Sequence, residues 1–166
     1  VKRSFSIEKL DDLSGKKAVF YSVRFFDEEH NEFENFLEEF GNDFGKEVNE
    51  ILLKIEKMAF KVGADITFFK DWEGKPGDGV CALADQSEKN LRLYCIRFGN
   101  VAVILGNGGH KPKTIRALQE DDRLTRENKV VRDISKLIAQ RMRAMDIKWN
   151  GNELVGDLEF NFEDDD

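Results

Sequence analysis

Metal-binding side chains are scarce in this sequence, which has two histidines, His30 and His110, and two cysteines, Cys81 and Cys95, in 166 residues. The cysteines sit in apolar, strand-like runs apart from either histidine, so no zinc-ligand spacing forms. Two reduced, buried thiols in a cytoplasmic protein are the expectation. Long apolar runs are missing too. None approaches the roughly 20 residues that cross a bilayer, and no secretory stretch opens the chain, so no membrane partner is expected. The glycine-rich segments Gly74–Gly79 and Gly106–Gly109 lack the spacing of a phosphate-binding loop or a dinucleotide fingerprint. No cofactor is expected.

Positive charge is short only on average. The net charge is −7, but residues 91–149 carry 13 Lys+Arg against 6 Asp+Glu, while residues 1–90 and 150–166 are each acidic. A basic middle third inside an acidic chain is a cationic surface concealed by the total.

The periodicities give an α+β protein. Ala18–Phe26 is dense in β-branched and aromatic residues and predicts a strand, whereas residues 1–16 suggest at most a short helical turn. Asp27-Glu28-Glu29 supplies an N-cap candidate. Phe33, Phe36, Leu37 and Phe40 then recur at helical spacing as far as Gly41. A second helix runs from about Asp43 to Gly63, with Val48, Ile51, Ile55 and Met58 on one face. Two such helices joined by a short loop form an antiparallel hairpin. Ile66–Trp72 reads as a short strand, Val80–Ala84 as another, and Leu91–Ile96 alternates as a third. Gly99-Asn100 turns the chain into Val101–Leu105, an apolar run typical of a strand buried on both faces. Gly106–Lys113 is read as a basic exit loop and Thr114–Leu118 as a helical turn. A long helix is expected over about Thr125–Met145. Asn150-Gly151 marks a last hairpin leading into the alternating Leu158, Phe160 and Phe162. The whole is one domain over 1–166: a core of about 17–145, with an added C-terminal hairpin and acidic tail over 147–166.

The chemistry converges on the Leu91–Ile96 and Val101–Leu105 strands and the segment that follows them. Arg92, Arg97, Lys111 and Lys113 can grip phosphate oxygens, and His110 and Tyr94 can move a proton. Cleaving RNA needs little more, since the 2′-hydroxyl is the nucleophile and positioned charge stabilises the phosphorane. Strand parity places Arg92 and Tyr94 on one face and Arg97 on the other unless a bulge intervenes.

The element order, with Leu91-Arg92-Leu93, Ile96-Arg97-Phe98, Val101–Leu105 and His110-Lys111-Pro112-Lys113-Thr114, resembles the RelE/HigB superfamily of bacterial toxins. The resemblance spans about residues 17–145. It implies an antiparallel sheet with the helical hairpin on one face and mRNA bound on the other at the ribosome. It further implies cleavage promoted by Arg92, Arg97 and Lys111–Lys113, with His110 and Tyr94 as proton-transfer candidates, and an antitoxin protein that covers the site. The chain departs from the pattern in being larger and acidic, with a longer loop before the long helix and an added C-terminal segment. Those departures motivate the alternative of a non-catalytic module that keeps the fold for protein or RNA contacts. A small-molecule enzyme would require a deep pocket lined by His110 and Tyr94.

Overall fold

The computed structural model describes residues 3–70, 77–111 and 117–162. The chain is mixed α+β. Its strands are β1 (Phe5–Lys9), β2 (Val19–Phe25), β3 (Val80–Ala84), β4 (Leu91–Phe98), β5 (Ala102–His110), β6 (Ile147–Asn150), β7 (Glu153–Gly156) and β8 (Glu159–Phe160). Its helices are α1 (Glu32–Phe40), α2 (Gly45–Lys57) and α3 (Ala117–Arg143). Six strands make one sheet in the order β3-β4-β5-β2-β1-β8, and β6 and β7 form a separate hairpin. The pairings are antiparallel except for β2 against β5, which run parallel in the centre.

Strand alternation sends side chains to two cores. Phe20, Leu83, Leu91, Leu93, Cys95, Val103 and Leu105 point at the helical hairpin and meet Phe33, Phe36, Ile51 and Ile55. Tyr21, Val23, Tyr94, Ile96 and Ile104 point the other way, onto Val131, Ile134 and Ile138 of α3 and Ile147 and Leu154 of the terminal hairpin. A sheet covered on both faces explains why β2 and β5 read as nearly unbroken apolar runs. It also corrects one expectation: the face opposite the helical hairpin lies under α3 and β6–β7 and is not open. Cys81 and Cys95 are both free and buried, paired across β3 and β4.

Local chemistry moves several boundaries. Residues 1–16 hold more than the short helical turn expected of them: the turn forms at Asp11–Leu13, and a strand, β1, precedes it. Phe5 and Ile7 face inward while Ser6 and Glu8 are half-exposed, the two-residue period of a strand. The N-cap of α1 is Asn31, not Asp27: its side chain accepts from the Glu34 amide while the Glu34 side chain accepts from the Asn31 amide. Ser22 joins helix to sheet, since its hydroxyl donates to Leu105 O at 2.8 Å and accepts from the Phe33 amide at 3.1 Å. After α2, one wider turn over Met58–Val62 leads to Gly63, whose φ of +81° suits glycine. Ile66–Phe68 is a short 3₁₀ turn followed by a single bridge from Lys70 to Ala82, in place of the expected strand. The helix after the basic segment is longer than expected and takes in the charged residues before Thr125, ending at Arg143. The terminal hairpin forms around Gly151 and Asn152, with Asn150 paired to Glu153. Phe160 leaves it to stack on Phe5 at the sheet edge, ring centroids 4.5 Å apart.

Candidate functional site

Gly106–His110 continues β5 and is not the exit loop that glycine content suggested. The reason lies in β4. The register shifts between Leu93 and Cys95, where Leu93 pairs with Gly108 and Cys95 with Leu105. The extra residue falls on β5 as a bulge. It inverts the parity there: a Cβ on Gly106 would meet Val131 of α3, and one on Gly109 would also meet α3, at Leu124 and Arg123. At Gly108 a Cβ would overlap the Arg92 carbonyl, so only glycine allows this approach. The glycines therefore serve close packing of backbone, not mobility.

The bulge decides where the candidate residues go. Arg92 pairs with Gly109 and shares its face of β4 with Tyr94 and Ile96, towards α3. His110 pairs with Leu91 and turns to the other side, its ring 4.8 Å from that of Phe44. Tyr94 is 3% exposed and belongs to the core beneath α3. Lys111 follows the end of β5, with its amide donating to Asn90 O at 2.7 Å and its Nζ to Glu88 O at 3.1 Å. Arg97 lies at the other end of β4, about 16 Å along the strand from Arg92. Its Nε donates to Ala64 O at 2.8 Å and its Nη2 to Asn100 Oδ1 at 2.6 Å, which fixes the loop entering the 3₁₀ turn. Lys113 lies outside the described residues. Arg92 and Lys111 are thus brought to one end of the sheet. His110 reaches that end on the opposite face, Tyr94 is enclosed, and Arg97 is elsewhere.

A cation that the sequence reading missed completes this corner. Arg123 of α3 donates from Nε to Gly108 O at 3.0 Å, pairs with Glu39, and lies 5.3 Å over the ring of Phe40. The only trace of it in the sequence is its i, i+4 spacing to Glu127, two charged residues on the inner side of a helix whose later turns are apolar there.

Beyond Arg123 the sheet splits. Pairing of β2 with β5 ends at Ser22 and Leu105, and past that point a cavity of about 700 Å³ opens between Phe25 and Asn107, walled by α1 and α3. Glu28, Glu32, Glu39 and Glu127 line it together with Arg3, Arg123 and Arg126. Glu32 is 7% exposed. Burial, then the charges of Glu127 and Glu28, push its carboxyl up from 4.5 to about 7. Burial also raises Glu127, against the pull of Arg123 and Arg126. His110 and Tyr94 do not line this cavity, so the pocket a small-molecule enzyme would need at those residues is not this one. Among the described residues, no group of three or more His, Cys, Asp or Glu side chains is arranged to hold a metal ion. No described helix is long and apolar enough to cross a membrane.

Comparison of the chain with protein-family models, curated proteins and solved structures gave no match.

Proposed function

We propose that the chain is a RelE/HigB-like toxin of the cytoplasm, an mRNA endonuclease acting by phosphodiester cleavage and neutralised by an antitoxin protein. The observation that carries the reading is the cationic corner at the Gly108–Gly109 end of the sheet. There Arg92, Lys111 and Arg123 come from a strand, a strand end and a helix to flank a backbone that has no side chains of its own. Guanidinium groups set around bare backbone suit the equatorial oxygens of a phosphorane. In this reading Arg92 grips phosphate and Lys111 adds charge. Tyr94 and His110 have no access to the same phosphate, one being enclosed and the other facing Phe44, so they take no part. The experiment is expression of the chain alone in bacteria, with growth and mRNA 5′ ends followed. Arrested growth and new mRNA ends, both relieved by Arg92→Ala, support it. Normal growth with intact mRNA at good protein levels rejects it.

A second reading has its own observation. The sheet face opposite the helical hairpin, where the resemblance puts mRNA, is packed under α3 and β6–β7. That favours a RelE-fold module that binds partners without cutting RNA. Replacing the exposed carboxylates Asp157 and Glu159 by their amides, with Leu154 and Phe160 left in the core, separates the two. Salt-sensitive RNA binding gained on that neutralisation points to a masked site.

A further inference from the structure

The floor of the cavity between α1 and α3 carries polar groups that the protein itself leaves unmatched. Ser22 sets that floor, because its hydroxyl holds both the Phe33 amide of α1 and the Leu105 carbonyl of β5. Glu32 precedes the first of these anchors and Asn107 follows the second, and both line the cavity. Asn107 is only 8% exposed. Its Oδ1 accepts from the Gly108 amide at 2.7 Å, while its Nδ2 finds no acceptor among the described residues. Glu32 is as deeply buried and receives only a long hydrogen bond from Asn35 Nδ2, at 3.4 Å. Glu127 lines the cavity from α3 and accepts no hydrogen bond from the described residues. The arginines do not close this account. Arg3 pairs with Asp27 and Glu28, Arg123 pairs with Glu39, and Arg126 is exposed. Buried polar groups are matched in nearly all proteins, and the counterparts called for here are an acceptor for Asn107 and a cation for Glu32 and Glu127.

From this pairing of a buried amide donor with buried carboxylates we propose that the cavity binds a small organic cation that joins ammonium groups to hydroxyls, as amino sugars do. An ammonium brings several N–H donors to Glu32 and Glu127, and a neighbouring hydroxyl oxygen accepts from Asn107 Nδ2. Further ammonium groups meet the exposed carboxylates of Glu29 and Glu38 where the cavity opens. A bare polyamine answers the carboxylates but leaves the Asn107 donor without an acceptor. An anion meets a surplus of charge of its own sign, six glutamates against three arginines. An apolar ligand finds little to lie on, since the Arg3 guanidinium already covers the Phe25 ring at 3.9 Å. The volume, about 700 Å³, is in the range of sites that enclose a drug-sized molecule. None of this rests on the toxin reading, because Arg92 and Lys111 do not line the cavity.

The test is calorimetric titration of the full chain with neamine, a two-ring amino sugar, beside spermidine, which has ammonium groups without hydroxyls, and glucose, which has the reverse. About pH 8 and about 0.15 M salt keep Glu32 ionised, its pKa being about 7, and screen loose attraction to an acidic protein. Neamine should bind at one saturable site with Kd below about 1 mM, at least about tenfold tighter than spermidine, and glucose should not bind. Glu32→Gln should weaken neamine by about tenfold or more. Asn107→Ala, which removes the donor, should weaken neamine and leave spermidine where it was. Glu56→Gln, on the exposed side of α2, should change neither. If Asn107→Ala fails to fold, Glu32→Gln and the spermidine comparison decide. No saturable binding of neamine, equal affinity for spermidine, or an equal loss in Glu56→Gln and Glu32→Gln overturns the proposal.

Discussion

Gly108, paired with Leu93, comes so close to its diagonal neighbour Arg92 across β4 and β5 that a methyl group on the glycine would occupy the space of the arginine's carbonyl oxygen. The Gly108→Ala variant must therefore force the strands apart at the bulge. The expected cost is about 3 kcal/mol, read as a lowered urea midpoint with an unchanged slope. Gly45, with open space around it at the start of α2, is the matching control. Gly45→Ala should be neutral or stabilise by up to about 1 kcal/mol.

Removal of the Asp85 carboxylate should disorder the connection that delivers Arg92. Asp85 is fully buried and accepts from the Leu91 amide at 2.8 Å, the Asn90 amide at 3.0 Å and the Ser87 hydroxyl at 2.6 Å. Burial by itself raises its pKa, but those donors and the Lys89 amide outweigh it and hold the group below its ordinary value. A depressed carboxyl contributes stability that is present above the unfolded pKa, near 4, and is lost as pH falls through the lower folded value. Asp85→Ala should cost about 2 kcal/mol at pH 7, and the difference from wild type should shrink in strong acid. Denaturant titrations over that range check it.

Glu32 should show the opposite slope. Its folded pKa, about 7, lies above its ordinary 4.5, so the native state holds a proton the unfolded chain has given up. Stability then falls as pH rises between those two values, by up to about 3 kcal/mol, and is flat above them. Glu32→Gln, which cannot ionise, should be the more stable protein at pH 8 and lose that advantage near pH 4. Melting temperatures across this range decide the matter.

If the toxin reading holds, cleavage should distinguish the corner from its neighbours. Arg92→Ala and Lys111→Ala are expected to lower cleavage by about 10²–10³ with stability within about 0.5 kcal/mol of wild type. Tyr94→Phe and His110→Ala should leave it unchanged, since one side chain is enclosed and the other lies on the wrong face. Rates on a defined RNA, in parallel with unfolding curves, provide the check. Equal losses at Tyr94 would sink the assignment of roles.

Much of the fold was legible because its signals are local. The stripes of Phe33–Phe40 and Val131–Ile138, the alternation of Leu91–Ile96 and the Asn150-Gly151 pair each act over a few residues. Non-local contacts were not legible. Residues 5–9 are a strand because β2 and Phe160 pair with them, and Phe160 lies far along the chain. The glycines after Leu105 look like a loop until the Arg92 carbonyl stands against them. Of the site, Arg92 and Lys111 could be found from charge beside a strand end. Arg123 and Glu32 could not, because what sets them apart is the cavity that α3 and α1 make together. Tyr94 carried the right chemistry for proton transfer, but its surroundings depend on a helix some 40 positions later.

The stacking of Phe5 on Phe160 has a consequence for synthesis. β1 cannot complete its outer pairing with β8 until nearly every other described residue has been translated. The centre of the sheet waits likewise, since β2 must hold its place for β5 across two helices and two strands. Such wiring predicts slow, late closure, with the Phe5 and Ile7 face of β1 left uncovered in the nascent chain, a segment that chaperones would be expected to shelter.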